Sequence, residues 1–325
     1  MLNPFFKNVG PFDINKLLKN CSIENKENYK KDKIHNVSDL STATSNDLTF
    51  FHSKNYSTLA SKTKASYCVT LDNLSKFLPD TCKKIIVKNV LLSMAKITKE
   101  FYPKSIIDDF DDSAKDISKT SLKRKVKFGK NVLIGKNVKI GKNCLIGHNT
   151  IIEKNVIVGS NCSIGSNVII RNSILKDNVN ILDGCVIGKK GFGFFPKKGK
   201  NLRYPHIGMV IIKDNAEIGS NNTIDRGSLG NTIIGENTFL DNQVHIAHNV
   251  KIGKNCIIAG QVGFAGSSEI GDNVLIGGQA GISGHLKIGN NVNIKSFSHL
   301  ENCRVENKVN IGCFFQDQCS FYDRF

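Results

Sequence analysis

A period of six governs this chain from residue 128 onward and leaves little choice of fold. Aliphatic residues stand at Ile134, Ile140, Ile146, Ile152, Val158, Ile164 and Ile170. After a slip of one residue the series continues as Leu175, Ile181 and Ile187, and after a long interruption as Ile212, Ile218 and Ile224. Four extra residues intervene, and the phase then runs unbroken through Ile234, Leu240, Ile246, Ile252, Ile258, Phe264, Ile270, Ile276, Ile282, Ile288, Ile294 and Leu300. Neither a helix nor an alternating strand repeats every six residues. One short strand plus one turn does, and three such hexads close a triangular coil with an aliphatic side chain pointing inward from each face.

The residues after the inward aliphatic, as in "IGKN" at 134–137 and 140–143, suit corners that need positive φ or tolerate no bulk. This pattern resembles the hexapeptide-repeat left-handed parallel β-helix, which is the expected fold for residues 126–312. Residues 1–115 lack the hexad and alternate helical with strand-like patches, "LLSMAKITKEFY" and "ASYCVTL" among them, as a small α/β domain would. The acidic stretch 108–121 reads as linker or entry coil up to about residue 125. Residues 313–325 read as a short atypical tail.

Composition narrows the function classes. No run approaches the length of a membrane span, and the N-terminus has no signal-peptide pattern, so the expected location is the cytoplasm, with at most peripheral membrane contact. The net charge of +17 has no basic block interleaved with aromatics, which argues against nucleic acid and suits anionic small molecules or an acidic carrier protein. The cysteines form no CxxC pair, and Cys144, Cys162, Cys185 and Cys256 occupy equivalent repeat positions as small apolar fillers, so neither a disulfide framework nor a metal site is expected.

Chemistry concentrates in "LDNQVHIAHNVKIG", 240–253. A coil takes 18 residues and rises by ~4.8 Å, so His248 and His285 should line one edge about two coils apart. Asp241 lies one hexad and one residue before His248, on the neighbouring face, and its reach to the imidazole depends on the corner. His245 precedes the inward Ile246 and is expected at the surface. Beyond single residues, the run 187–253 carries "GFG", "TIDRG", "DNQ" and "IAHNV" in order, with the interruption and the insertion between them. In these motifs, and in "LTFFHSKNY" near the N-terminus, the chain resembles the UDP-3-O-acylglucosamine N-acyltransferases of lipid A biosynthesis over roughly residues 10–300.

That resemblance implies an activity and a site. A 3-hydroxyacyl group passes from acyl carrier protein to the 2-amine of UDP-3-O-(3-hydroxyacyl)glucosamine, by direct attack on the thioester and with no cofactor. His248 matches the general base, Asp241 its carboxylate partner, Gly266 the backbone oxyanion donor, His285 a second active-site histidine, and Asn242 a substrate contact. The resemblance also implies a homotrimer with sites between subunits, and a loop at 189–208 whose Phe192, Phe194 and Phe195 either guard an acyl chain or pack on the coil. Phe50 and Tyr56 match the aromatics that hold uracil, while Ser53 stands where the family has Asn, with Asn55 or water as substitutes for the lost contact. The family's helical tail for carrier docking has no counterpart after Leu300, where the hexad decays. Three rivals remain: a zinc enzyme like the carbonic anhydrases built on the same coil, for which positions 280 (Ala) and 290 (Asn) lack the needed histidine; a non-catalytic scaffold; and an acetyltransferase using coenzyme A.

Overall fold

The computed structural model describes residues 3–24, 29, 32–196, 199, 201–312 and, as backbone, 314–316 and 318–320. It divides into two compact units, residues 1–107 with 193–207, and residues 108–192 with 208–325.

The first unit is built on a parallel sheet of four strands in chain order, Asn36–Val37, Asp47–Phe51, Tyr67–Thr70 and Lys83–Ile86. The helix Val90–Phe101 starts where the Asn89 side chain accepts from the Leu92 N–H, and it buries Val90, Met94, Ile97 and Phe101. A cluster of Phe51, Ala60, Cys68, Leu74, Leu78 and Cys82 forms a second core. The segment 193–207 joins this unit as a hairpin pairing Phe194 with Arg203 and Phe195 with Leu202. Phe195 packs beside Tyr204, ring centroids 5.8 Å apart, whereas Phe192, in the second unit, is 72% exposed.

The second unit is the triangular coil. Its strands fall into three parallel sheets of nine or ten strands, and successive strands visit the three faces in turn. The inward aliphatics of the hexad are buried at nearly every coil, from Ile134 to Leu300. Two residues before each stands a second inward position, filled by Val132, Cys144, Thr150, Val156, Cys162 and their successors. There the thiols donate to carbonyls, Cys144 to Gly159 at 3.2 Å and Cys256 to Gly271 at 3.2 Å. Burial pushes the Cys162 and Cys185 thiols up to about 11, which leaves them protonated and inert.

Each corner divides the expected work between two residues. The third corner residue takes positive φ, and it is Asn at most coils, 131, 137, 143, 149 and 155 among them. The glycine that opens the corner has ordinary φ but no room: a Cβ at Gly141 would stand 2.6 Å from the Gly159 carbonyl of the next coil. Stacked Asn side chains donate amide to carbonyl between coils, as Asn237 to Asn255 at 2.9 Å and Asn255 to Asn273 at 3.1 Å.

The coil also reaches further at both ends than its hexads suggest. Lys115–Asp116 pairs antiparallel with Leu133–Ile134, and Asp111 accepts from the Lys154 N–H, so the unit begins at Asp108 rather than near residue 115. After Leu300 another one-residue slip brings Val305 and Ile311 into the stack. Of the tail at 313–325, a strand pair Phe314–Gln316 with Gln318–Ser320 is described, and the rest lies outside the described residues. The "TIDRG" motif has a structural task here. Arg226 is 1% exposed and donates to Asp108 at 3.1 Å and to the Gly188 carbonyl at 3.3 Å, while Lys189 bridges to buried Asp225 at 2.7 Å.

Candidate active site

The three edges of the coil differ in chemistry. One edge carries the corners 247–249, 265–267 and 283–285 on successive coils, in register through the pairing of His245 with Gly263 and of Gly263 with Gly281. His248 is the second residue of the first of these corners. A Cβ built on Gly266 would stand 2.7 Å from Cε1 and 2.9 Å from Nε2 of its imidazole, so the ring lies against a backbone that only glycine allows.

Asn249 holds that ring. Its Oδ1 accepts from the Ser228 N–H at 3.0 Å and from the Ser228 hydroxyl at 2.7 Å, which fixes the amide orientation, and it faces His248 Nδ1 at 3.1 Å. An amide oxygen cannot donate, so Nδ1 carries the proton and Nε2 is the basic nitrogen. Asn249 escaped notice in the sequence because Asn is what the third corner position holds almost everywhere else.

Gly266 has an amide that regular corners do not offer. On another edge the second corner N–H is taken by the side chain one coil above, Lys254 by Asp272 at 2.9 Å and Asp272 by Asn290 at 2.7 Å. Above Gly266 stands Gly284, which has no side chain to accept. The Gly266 carbonyl accepts from the His285 N–H at 3.1 Å. His285 itself sits at φ +62°, where its neighbours along the chain place Asn, a conformation that costs a branched ring more than Asn. Desolvation, and then the charge of nearby His248, hold its pKa below the ordinary histidine value, although much of the residue is exposed.

Other expected residues lie elsewhere. Asp241 opens the corner at the opposite end of the face from His248, with the strand His245–Ile246 between them, and its carboxylate leans over Gly260. Within one chain, then, the partner of His248 Nδ1 is Asn249. Asn242 accepts from the Ser220 N–H at 2.7 Å, capping the coil below. His245 is exposed and its Nδ1 lies 2.7 Å from the Thr223 hydroxyl. In the first unit Phe50 and Tyr56 are half-buried, with His52 between them, a ring that the motif comparison passed over. Ser53 caps the turn Lys54–Tyr56, accepting from the Asn55 N–H. Among the described residues no group of three or more His, Cys, Asp or Glu is placed to hold a metal ion, and no helix is long and apolar enough to cross a membrane.

A hexad coil carrying a held histidine on a glycine-lined edge belongs to the hexapeptide-repeat transferases. The family model for bacterial transferase hexapeptides matches at 119–154, 137–172, 231–266 and 267–302, which makes the coil a left-handed parallel β-helix. A second model, UDP-3-O-(3-hydroxymyristoyl) glucosamine N-acyltransferase, matches residues 33–100. The chain is 44% identical over 249 residues to UDP-3-O-acylglucosamine N-acyltransferase 2 of Legionella pneumophila (strain Paris), covering 76% of this chain and 73% of that protein. It is 42% identical over 247 residues to the UDP-3-O-acylglucosamine N-acyltransferase of Leptospira biflexa, covering 72% and 67%, and 41% identical over 251 residues to that of Rickettsia prowazekii, covering 76% and 72%. Among solved structures, the UDP-N-acetylglucosamine acyltransferase of Francisella novicida is 28% identical with a TM-score of 0.49, covering 53% of this chain and 62% of that one. The chain belongs to the UDP-3-O-acylglucosamine N-acyltransferase family, and it is an acyltransferase.

Proposed function

We propose that His248 is the general base of an N-acyl transfer from acyl carrier protein to the 2-amine of UDP-3-O-(3-hydroxyacyl)glucosamine, giving the 2,3-diacyl product in the cytoplasm. The observation that carries this reading is the imidazole seated on Gly266 with Nδ1 held by Asn249. The amine attacks the thioester carbonyl, and Nε2 takes the proton that would otherwise leave nitrogen cationic. The oxyanion that forms accepts from the Gly266 N–H. Its collapse breaks the C–S bond, and the proton passes from imidazolium to the departing thiolate. His285, neutral because its own protonation would place a second cation beside His248, contributes a polar contact. Base catalysis of this kind is worth about 10²–10⁴-fold, and one oxyanion donor about 10²-fold or more.

Asp241 enters from a second copy. Phe239, Ile257 and Leu275 stack in register on consecutive coils and are 44%, 59% and 44% exposed, an apolar stripe beside the Asp241 corner that a homotrimer covers. The Asp241 edge of one subunit then meets the His248 edge of the next. Transfer of a 3-hydroxyacyl group to UDP-3-O-acylglucosamine, compared between wild type and His248→Ala as folded proteins of equal oligomeric size, tests the base: a loss of at least about a hundredfold is expected, and an active variant removes His248 from the role. Sedimentation of Ile257→Glu tests the assembly, with dissociation to smaller species expected and an unchanged trimer counting against the stripe.

A further inference from the structure

We propose that His52 reads the pyrimidine base in the first unit, accepting a hydrogen bond from the N3–H of a uracil-type nucleoside diphosphate. This rests on the proposed UDP-sugar substrate and assigns its recognition to a residue that the motif does not contain.

Position comes first. Asp47–Phe51 is an inner strand of a four-stranded parallel sheet, and Phe50 and His52 leave its carboxyl end, the end at which parallel sheets of α/β units bind ligands. Being two residues apart on an extended backbone, the two side chains point to one side. The Phe50 and His52 rings stack with centroids 5.8 Å apart and an angle of 22°, and Tyr56 lies on the far side of His52 at 5.6 Å and 41°. The imidazole thus occupies the middle layer of an aromatic row, with a phenyl ring on one side and a phenol ring on the other. A flat base entering that layer edge-on to His52 finds Phe50 and Tyr56 above and below it.

Chemistry then separates His52 from its neighbours. The Ser53 hydroxyl accepts from the Asn55 N–H at 3.4 Å and the Ser53 carbonyl accepts from the Tyr56 N–H at 3.1 Å, so this residue shapes the turn that presents Tyr56. Asn55 is exposed on that turn. Neutral imidazole has one donor and one acceptor nitrogen. An acceptor nitrogen facing N3 welcomes uracil, whose N3 bears hydrogen, and opposes cytosine, whose N3 is itself an acceptor. Protonation removes the acceptor, so base preference should weaken as pH falls through the histidine range.

Calorimetric titration of the full chain with UDP and with CDP, at pH 7.5 and 5.5, tests the assignment. Wild type is expected to prefer UDP at pH 7.5 and to lose part of that preference at pH 5.5. His52→Phe, which keeps a ring in the row, should bind UDP roughly 3- to 10-fold more weakly, the range of one neutral hydrogen bond, and should hold UDP and CDP alike at both pH values. Ser53→Ala should leave the preference intact. A His52→Phe protein that still discriminates UDP from CDP, or a Ser53→Ala protein that does not, overturns the assignment while leaving nucleotide binding in place. A wild type that binds neither nucleotide overturns the UDP-sugar reading of this unit, and His52 falls with it.

Discussion

Two edges of the same coil were built from the same hexad and put to different uses. On the edge that runs through residues 141–143, 159–161, 235–237, 253–255, 271–273 and 289–291, nearly every corner opens with glycine and holds Asn at positive φ. Side chains there cap the amides of the coil below, so each corner serves the next. The edge with 247–249, 265–267 and 283–285 abandons the formula one position at a time. Ala247, Ala265 and Ser283 replace the opening glycine, Gly266 and Gly284 replace the capping side chain, and His285 replaces the Asn. What a regular corner uses for cohesion is here left unfilled, and the unfilled groups are the ones a reaction needs: an open amide, a seat for an imidazole and a polar ring two coils away.

The sharpest break between the edges is predicted for two glycines. Gly266→Ala drives a methyl into the His248 ring and should lower turnover by about 10²-fold or more while the coil stays folded. In Gly271→Ala the methyl meets the Gly289 backbone at 2.6 Å; it should cost roughly 1–3 kcal/mol of stability and leave the turnover of folded enzyme unchanged. Transfer assays beside denaturant unfolding separate the two, and equal effects on both readouts would dissolve the distinction. A smaller contrast is expected from the third corner position. Asn255→Ala, at φ +54°, should lose about 1–2 kcal/mol with activity intact. His285→Asn should gain stability and lose activity, since it restores the residue the backbone prefers.

The least effect is one of pH. Because His285 binds a proton less readily folded than unfolded, the folded chain takes up fewer protons as the solution is acidified. Stability should therefore be full above the unfolded histidine value of about 6.5 and decline as pH falls through and below it. Melting temperatures of wild type and His285→Asn between pH 7.5 and 5 check the sign: the gap should widen in favour of the variant on acidification.

Much of this was legible in the residues. The six-residue period fixed the coil, its slips and its insertions, because each inward aliphatic is buried independently of what lies outside. His248 was legible as a departure from a repeat, and so was the shared edge with His285. Asp241 was not placed, since a separation of seven residues turns a corner and traverses a face, and only coordinates show that the Asn249 carbonyl already occupies Nδ1. Asn249 and Asn242 were hidden by type, one letter serving both cohesion and function. Distance hid the rest: Arg226 meets Asp108 across 118 positions of sequence. Helical and strand patches indicated the α/β character of the first unit, but its inclusion of 193–207 follows from packing that no local pattern carries.

The rungs of the coil have one further consequence. Groups along an edge are separated by whole steps of ~4.8 Å, so the spacing of two functional side chains is quantised and cannot drift continuously under mutation. Fine adjustment must come from a vernier: the choice among the three residues of a corner and the length of the side chain. His248 in the second place and His285 in the third are a setting of that scale, and inserting or deleting one full 18-residue coil between them would move it by a single coarse notch.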